Sequence, residues 1–177
     1  MRTIVTSRCT LEPQVAAHAR EMFLLLSDPA IYEFENAPPV TEEWLTQRYQ
    51  RLESRGPDVG EQSWLNWVIR LPSGELAGYV QATVQLNGVS YVAYELGSRY
   101  WRQGIGSSAV QAMLEELRTH YQIHTYVAVL KAKNFRSGAL LRKLDFIGAT
   151  AEQETRYRDE PDEIVMVRAA INTSSAA

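Results

Sequence analysis

The sequence predicts an α/β protein of the mixed (α+β) kind, with helices packed on a largely antiparallel sheet. Three observations carry this expectation. Residues 64–96 contain three runs of alternating apolar and polar side chains, divided by Pro72-Ser73-Gly74 and by Asn87-Gly88, which is the pattern of a strand meander. Residues 105–121 repeat apolar side chains every fourth position (Ile105, Ala109, Met113, Leu117, Tyr121), the mark of a long amphipathic helix. YVAVL at 126–130 is apolar enough to be a central strand buried on both faces.

Taken in order, residues 2–9 read as a first strand. From Pro13 onward Val15, Ala19, Met22 and Leu26 fall at helical spacing, and the helix stops near Asp28-Pro29 because a residue before proline avoids the helical region. The loop IYEFENAPP at 31–39 is acidic and aromatic. Thr41 reads as a helix N-cap followed by Glu42 and Glu43, which suit the positive end of the helix dipole. That helix carries Trp44, Leu45, Arg48, Tyr49 and Leu52 on one face and ends at Gly56-Pro57. Residues 57–63 form a connection that is either plain surface or a lid.

The meander allows one sharper inference. Asn87-Gly88 predicts a two-residue hairpin, which sets Leu86 opposite Val89, Val84 opposite Tyr91, Ala82 opposite Ala93 and Val80 opposite Glu95. Glu95 then shares a face with apolar neighbours, where desolvation raises a carboxyl pKa toward that of a general base. A bulge at the strand end would instead turn it to solvent. Beyond the long helix and YVAVL, KAKN leads into a helix over 135–144 with Leu140, Leu141 and Leu144 as its apolar stripe. Strands over 146–153 and 163–169 close a single domain of residues 1–170, and 171–177 reads as a frayed tail.

Composition narrows the classes of function. The 177 residues suffice for one sizeable core, and a net charge of −3 argues against bulk nucleic-acid binding. One cysteine, Cys9, excludes an internal disulfide framework and suits a reducing cytoplasm. Neither the N-terminal stretch nor MFLLL at 22–26 has the length of a membrane span or a signal core. His18, His120, His124 and Cys9 lack metal-ligand spacing, so no metal is expected. Exposed aromatics are compatible with a homodimer.

The stretch that organises the chain is residues 89–121, where an apolar strand and a short polar loop meet the long helix at Gly104-Ile105-Gly106. The first N–H groups of a helix have no partner within it, and the dipole is positive there. Glycine lets a phosphate approach those donors, so the turn reads as a pyrophosphate cradle. GIGSSA also fits the dinucleotide fingerprint of an NAD(P) oxidoreductase. Against that, about 70 residues follow it, an antiparallel hairpin precedes it, and the next strand ends in Leu130-Lys131 without an acidic residue for a ribose hydroxyl. A third reading keeps the glycines for tight helix packing alone.

The order of elements, with AYELGSRYWRQGIGSSAV at 93–110 and NFRSGALLRKLDF at 134–146, resembles the GNAT family of acetyl-CoA-dependent N-acetyltransferases, and within it the RimJ/RimL-like branch. The resemblance runs from residue 2 to about 169. It implies helices on both faces of the sheet and splayed fourth and fifth strands. It implies that acetyl-CoA is the cosubstrate, its pyrophosphate held by Arg102, Gln103, Gly104, Ile105, Gly106 and Ser107. Main-chain groups of Tyr94, Glu95 and Leu96 would pair with the pantetheine arm, and Asn134 and Ser137 would stand near the thioester. Asn134 is equally a cap for the helix that follows it.

The family pattern is not complete here. Trp101 stands where many members carry Arg or Gln, and Asp145 stands where a glycine usually precedes Phe146. Val129, Leu141 and Tyr91 occupy positions at which other members carry proton-transfer residues. The reading is therefore an N-acetyltransferase acting on a primary amine, with Glu95 as base and Ser137 as acid. Trp44, Trp64, Trp67, Glu33 and Glu35 are candidates for the acceptor side. A non-catalytic CoA-binding regulatory domain is the alternative, and an NAD(P) oxidoreductase a further one.

Overall fold

The computed structural model describes residues 1–34, 36–56 and 62–170. The chain runs β1 (Ile4–Val5), β2 (Thr10–Pro13), α1 (Ala19–Leu26), α2 (Glu42–Glu53), β3 (Gln62–Arg70), β4 (Leu76–Gln85), β5 (Val89–Leu96), α3 (Ile105–Tyr121), β6 (Thr125–Lys131), α4 (Phe135–Lys143), β7 (Ile147–Gly148), α5 (Ala151–Tyr157) and β8 (Glu163–Ala169). The strands form one sheet in the order β1-β2-β3-β4-β5-β6-β8-β7. Among the described residues only β5 and β6 are parallel neighbours, which is not the parallel sheet of a dinucleotide-binding domain.

Helices cover both faces of the sheet. On one face Leu11, Trp67, Val80 and Val92 pack against Ala109, Val110, Met113 and Leu117 of α3 and Leu141 of α4. On the other, Val68 and Leu76 meet Met22 and Leu26 of α1 and Leu45 and Tyr49 of α2. Tyr157 of α5 covers Val127, Val165 and Val167. Thr41 caps α2 by accepting from the Trp44 N–H at 3.1 Å.

Four expectations are corrected. Residues 2–9 are not one strand: the Thr6 hydroxyl accepts from the N–H groups of Arg8 and Cys9 and donates to the Cys9 carbonyl, bending the chain into a β1–β2 hairpin. Residues 146–153 hold only the two-residue β7, because Thr150 and Gln153 form a reciprocal capping box that starts α5. Trp67 is fully buried, its indole N–H donating to the Arg2 carbonyl, so it belongs to the core and not to an acceptor pocket.

The fourth concerns the hairpin. Its loop has three residues, Leu86, Asn87 and Gly88, with the Gly88 N–H bonded to the Gln85 carbonyl and Gly88 at φ +76°. This is a turn closed by a left-handed glycine, and it moves the register by one. Val80 pairs with Tyr94 and Tyr79 with Glu95. A one-residue shift sends every side chain to the opposite face. Glu95 therefore shares the α1–α2 face with Tyr79, and the apolar Val80 face is not its setting.

Two further sites show how loops are fixed. Asp145 takes φ +61° just after α4, a left-handed position that favours glycine and where a short polar side chain is tolerated. Asp28 ties the end of α1 to the loop after β5: it accepts from the hydroxyl and N–H of Ser98 and from the Ala30 N–H. These bonds, the Ser98 hydroxyl first, hold its carboxyl below the usual range. A lowered folded-state pKa contributes stability that is complete above the unfolded value of about 3.9 and disappears as pH falls through the folded value. Asp28→Asn is therefore expected to lower the melting temperature at pH 7 and to narrow the gap between pH 7 and pH 3. An unchanged gap would show that the tether carries none of the acid sensitivity.

Candidate active site

The site begins with an interrupted sheet. The Gly97 N–H bonds to the Ala77 carbonyl, and antiparallel pairs alternate, so Tyr94 and Leu96 turn their main-chain groups away from β4. On that side β6 pairs with β5 only through Val89–Tyr91. Beyond Tyr91 the two parallel strands part. The Leu96 carbonyl is met at 2.9 Å by the indole N–H of Trp101.

The loop after β5 leads into α3 through two left-handed residues, Arg102 at φ +61° and Gly104 at φ +77°. Gly104 is the N-cap and brings no side chain to the first turn. The first bond of the helix is from the Ser108 N–H to the Gly104 carbonyl, 3.1 Å. The N–H groups of Ile105, Gly106 and Ser107 precede that bond and have no partner within the helix. Gly106 also answers a packing need, since a Cβ there would lie 3.0 Å from Leu140 Cδ1 and 3.4 Å from a Leu96 methyl. The packing need and the cradle reading of this glycine are compatible.

The gap and the helix terminus open into one cavity of about 760 Å³. Tyr94, Glu95, Leu96, Arg102, Gly104, Gly106, Ser107, Asn134 and Ser137 line it. Gln103 and Ile105 do not: the Gln103 amide donates to the Arg99 carbonyl, and the Ile105 side chain is buried in the core. Tyr100 also lines the cavity and is 7% exposed, yet its buried hydroxyl has no partner among the described residues. An uncapped helix terminus, a parted strand pair and an orphaned buried hydroxyl fit an elongated anionic ligand with its own hydrogen-bonding groups.

Around the far end, Asn134 caps α4 by accepting from the Ser137 N–H at 3.1 Å, and the Tyr94 hydroxyl donates to the Ser137 carbonyl at 3.2 Å. Glu95 is half-buried and acts electrostatically on Tyr32, whose phenol is held well above its usual range, first by burial and then by Glu95. Sequence reasoning missed Phe34, Phe135 and Arg136. Arg136 pairs with Glu33 at 2.7 Å and lies 4.6 Å from the Trp101 ring, while Phe34 meets Phe135 edge-on at 5.5 Å. The acidic-aromatic composition of 31–39 was the available signal. Glu35 and residues 57–61 of the candidate lid 57–63 lie outside the described residues. Trp44 stands half-exposed on α2, with Arg48 over its ring.

Comparison with known proteins accords with this geometry. Residues 8–147 match the model of an acetyltransferase (GNAT) domain. A curated relative, the uncharacterized N-acetyltransferase p20 of Bacillus licheniformis, is 24% identical over 148 residues, covering 82% of this chain and 83% of its own. The ribosomal L7/L12 alpha-N-protein acetyltransferase RimL, solved in complex with coenzyme A, superposes with a TM-score of 0.78 at 20% identity, covering 95% of this chain and 98% of that one. A Salmonella typhimurium acetyltransferase, described as modifying the N-terminal serine of ribosomal protein L7/L12, gives 0.76 at 18% identity, covering 96% and 100%. No helix among the described residues is long and apolar enough to cross a membrane. With a family model spanning most of its length and the fold to match, the chain belongs to the GNAT acetyltransferase family.

Proposed function

We propose that this acetyltransferase takes acetyl-CoA as its cosubstrate and passes the acetyl group to a primary amine by direct attack in the cytoplasm. The observation that carries the reading is the meeting of the uncapped α3 terminus with the parted β5–β6 pair in one cavity. The first would hold the CoA diphosphate through the N–H groups of residues 105–107. The second would accept the pantetheine arm along Tyr94–Leu96.

Direct attack needs a base, an oxyanion donor and an acid. Glu95, on the α1–α2 face and lining the cavity, is proposed to take the proton from the incoming ammonium, directly or through water. The Leu96 N–H, turned toward the gap, would donate to the carbonyl oxygen as the carbon becomes tetrahedral. As the nitrogen bonds to that carbon the C–S bond breaks, and the Ser137 hydroxyl would pass its proton to the departing sulfur while recovering one from the new amide nitrogen, directly or through water. The acceptor proposed first is a protein N-terminus, because two of the structural neighbours are described as acting on one. Glu33 is held by Arg136, which weakens a role for it in attracting a cationic amine.

The test is thiol release from acetyl-CoA with a panel of N-terminal peptides and small amines, beside a thermal-shift series with acetyl-CoA, NAD and NADP. Stabilisation by acetyl-CoA alone with acceptor-dependent release of thiol is the expected result. Stabilisation without release for any amine would favour a CoA-binding regulatory domain. Stabilisation by a nicotinamide cofactor alone would overturn the reading.

A further inference from the structure

The cradle at the start of α3 stands between two flanks. Gly106 faces Leu140 of α4, whereas a Cβ on Gly104 would lie 3.5 Å from Nε and 3.6 Å from Cζ of Arg8. Arg8 comes from the β1–β2 hairpin, remote in sequence, and two contacts hold that hairpin against α3. The Ser108 hydroxyl donates to the Thr6 hydroxyl at 3.1 Å, and Arg8 Nη1 donates to the Gln103 carbonyl at 3.3 Å. The same Thr6 hydroxyl accepts from the Arg8 N–H, so the turn that anchors to α3 also sets the direction of Arg8.

The guanidinium is thereby laid beside the glycine that begins the cradle, with one of its five N–H groups committed. It is exposed, and among the described residues it has no carboxylate partner. Position is a strong reason for the diphosphate rather than a phosphate elsewhere on the nucleotide, because the group lies against the N-cap residue itself. A planar fork of donors suits adjacent phosphate oxygens, and its charge adds to the dipole of α3.

We propose that Arg8 is a ligand of the CoA diphosphate, so that the β1–β2 hairpin forms the third wall of the cofactor site. This rests on the reading that CoA occupies the α3 cradle. It also gives a function to Ser108 and Thr6, whose bond holds that wall in place.

The test is calorimetric titration of the full chain and of Arg8→Ala and Arg8→Lys with CoA and with 3′-dephospho-CoA, at low and high salt. Arg8→Ala is expected to weaken both ligands alike, by about tenfold, and Arg8→Lys to weaken them less. The wild-type affinity should fall more steeply with salt than that of Arg8→Ala. Unliganded melting temperatures should agree, since Arg8 is exposed and makes one side-chain bond. If Arg8→Ala melts early, Arg8→Lys decides, because it keeps the charge and alters only the fork. Equal binding by wild type and Arg8→Ala would overturn the proposal while leaving CoA in the cradle. A loss seen with CoA but not with 3′-dephospho-CoA would overturn the assignment to the diphosphate. Failure of the wild type to bind either ligand would overturn the CoA reading beneath it.

Discussion

Gly78→Ala is expected to destabilise the protein by about 2–4 kcal/mol, lowering its melting temperature by roughly 5–15 °C. The reason is contact. A Cβ at Gly78 would fall 2.0 Å from the Glu95 carbonyl oxygen and 2.9 Å from the Leu96 Cα. Both atoms are backbone, so no side chain can rotate out of the way, and relief requires β5 to move away from β4. The segment displaced is Glu95–Leu96, which lines the cavity, and CoA affinity should fall together with stability. Gly74→Ala is the control. Gly74 has φ +91° but open space where its Cβ would go, so only backbone strain of about 1 kcal/mol is expected there. Similar melting temperatures for the two variants would show that the close approach of β5 to Gly78 does not limit what this position accepts.

Glu95→Gln is expected to lower turnover at neutral pH by about a hundredfold or more while leaving CoA affinity nearly unchanged. The replacement keeps shape and hydrogen-bonding reach and removes only the capacity to take up a proton. Glu95 is half-buried beside Tyr32 and Tyr79, so the fold should tolerate the change. Steady-state rates across pH, with calorimetric CoA titration of the same preparation, separate chemistry from binding. The variant should also lose the acidic limb of the pH–rate profile. Unchanged turnover would remove Glu95 from the mechanism and leave the base to a water or to the acceptor itself.

Much of the fold could be read from local pattern. Period-four apolar positions mark α1, α3 and α4, Thr41 marks the start of α2, and alternation marks β3 to β5, because in each case a short stretch decides the outcome. The glycine turn and the uncapped start of α3 were legible for the same reason: they are facts about a few neighbours. The face of Glu95 was not. Asn87-Gly88 serves a two-residue turn and a three-residue turn equally well, and the choice between them depends on pairing along the whole of β4 and β5. The helix at Ala151–Tyr157 was available in Thr150 and Gln153 but was masked by apolar residues that read as a strand. Gly78, Arg8 and Arg136 act through contacts distant in sequence, and no local signal distinguishes them from an ordinary glycine and two surface arginines.

The parting of β5 and β6 after three residue pairs has a consequence for the lifetime of the protein. The gap exists only in the native chain, so whatever fills it binds the folded form and not the unfolded one. By mass action, a donor at about a hundred times its dissociation constant would add about 2.7 kcal/mol to the folding equilibrium. That is enough to reduce the fraction open to proteolysis by about a hundredfold. On the proposed reading, loss of the acetyl donor would leave the enzyme both without substrate and more open to proteolysis.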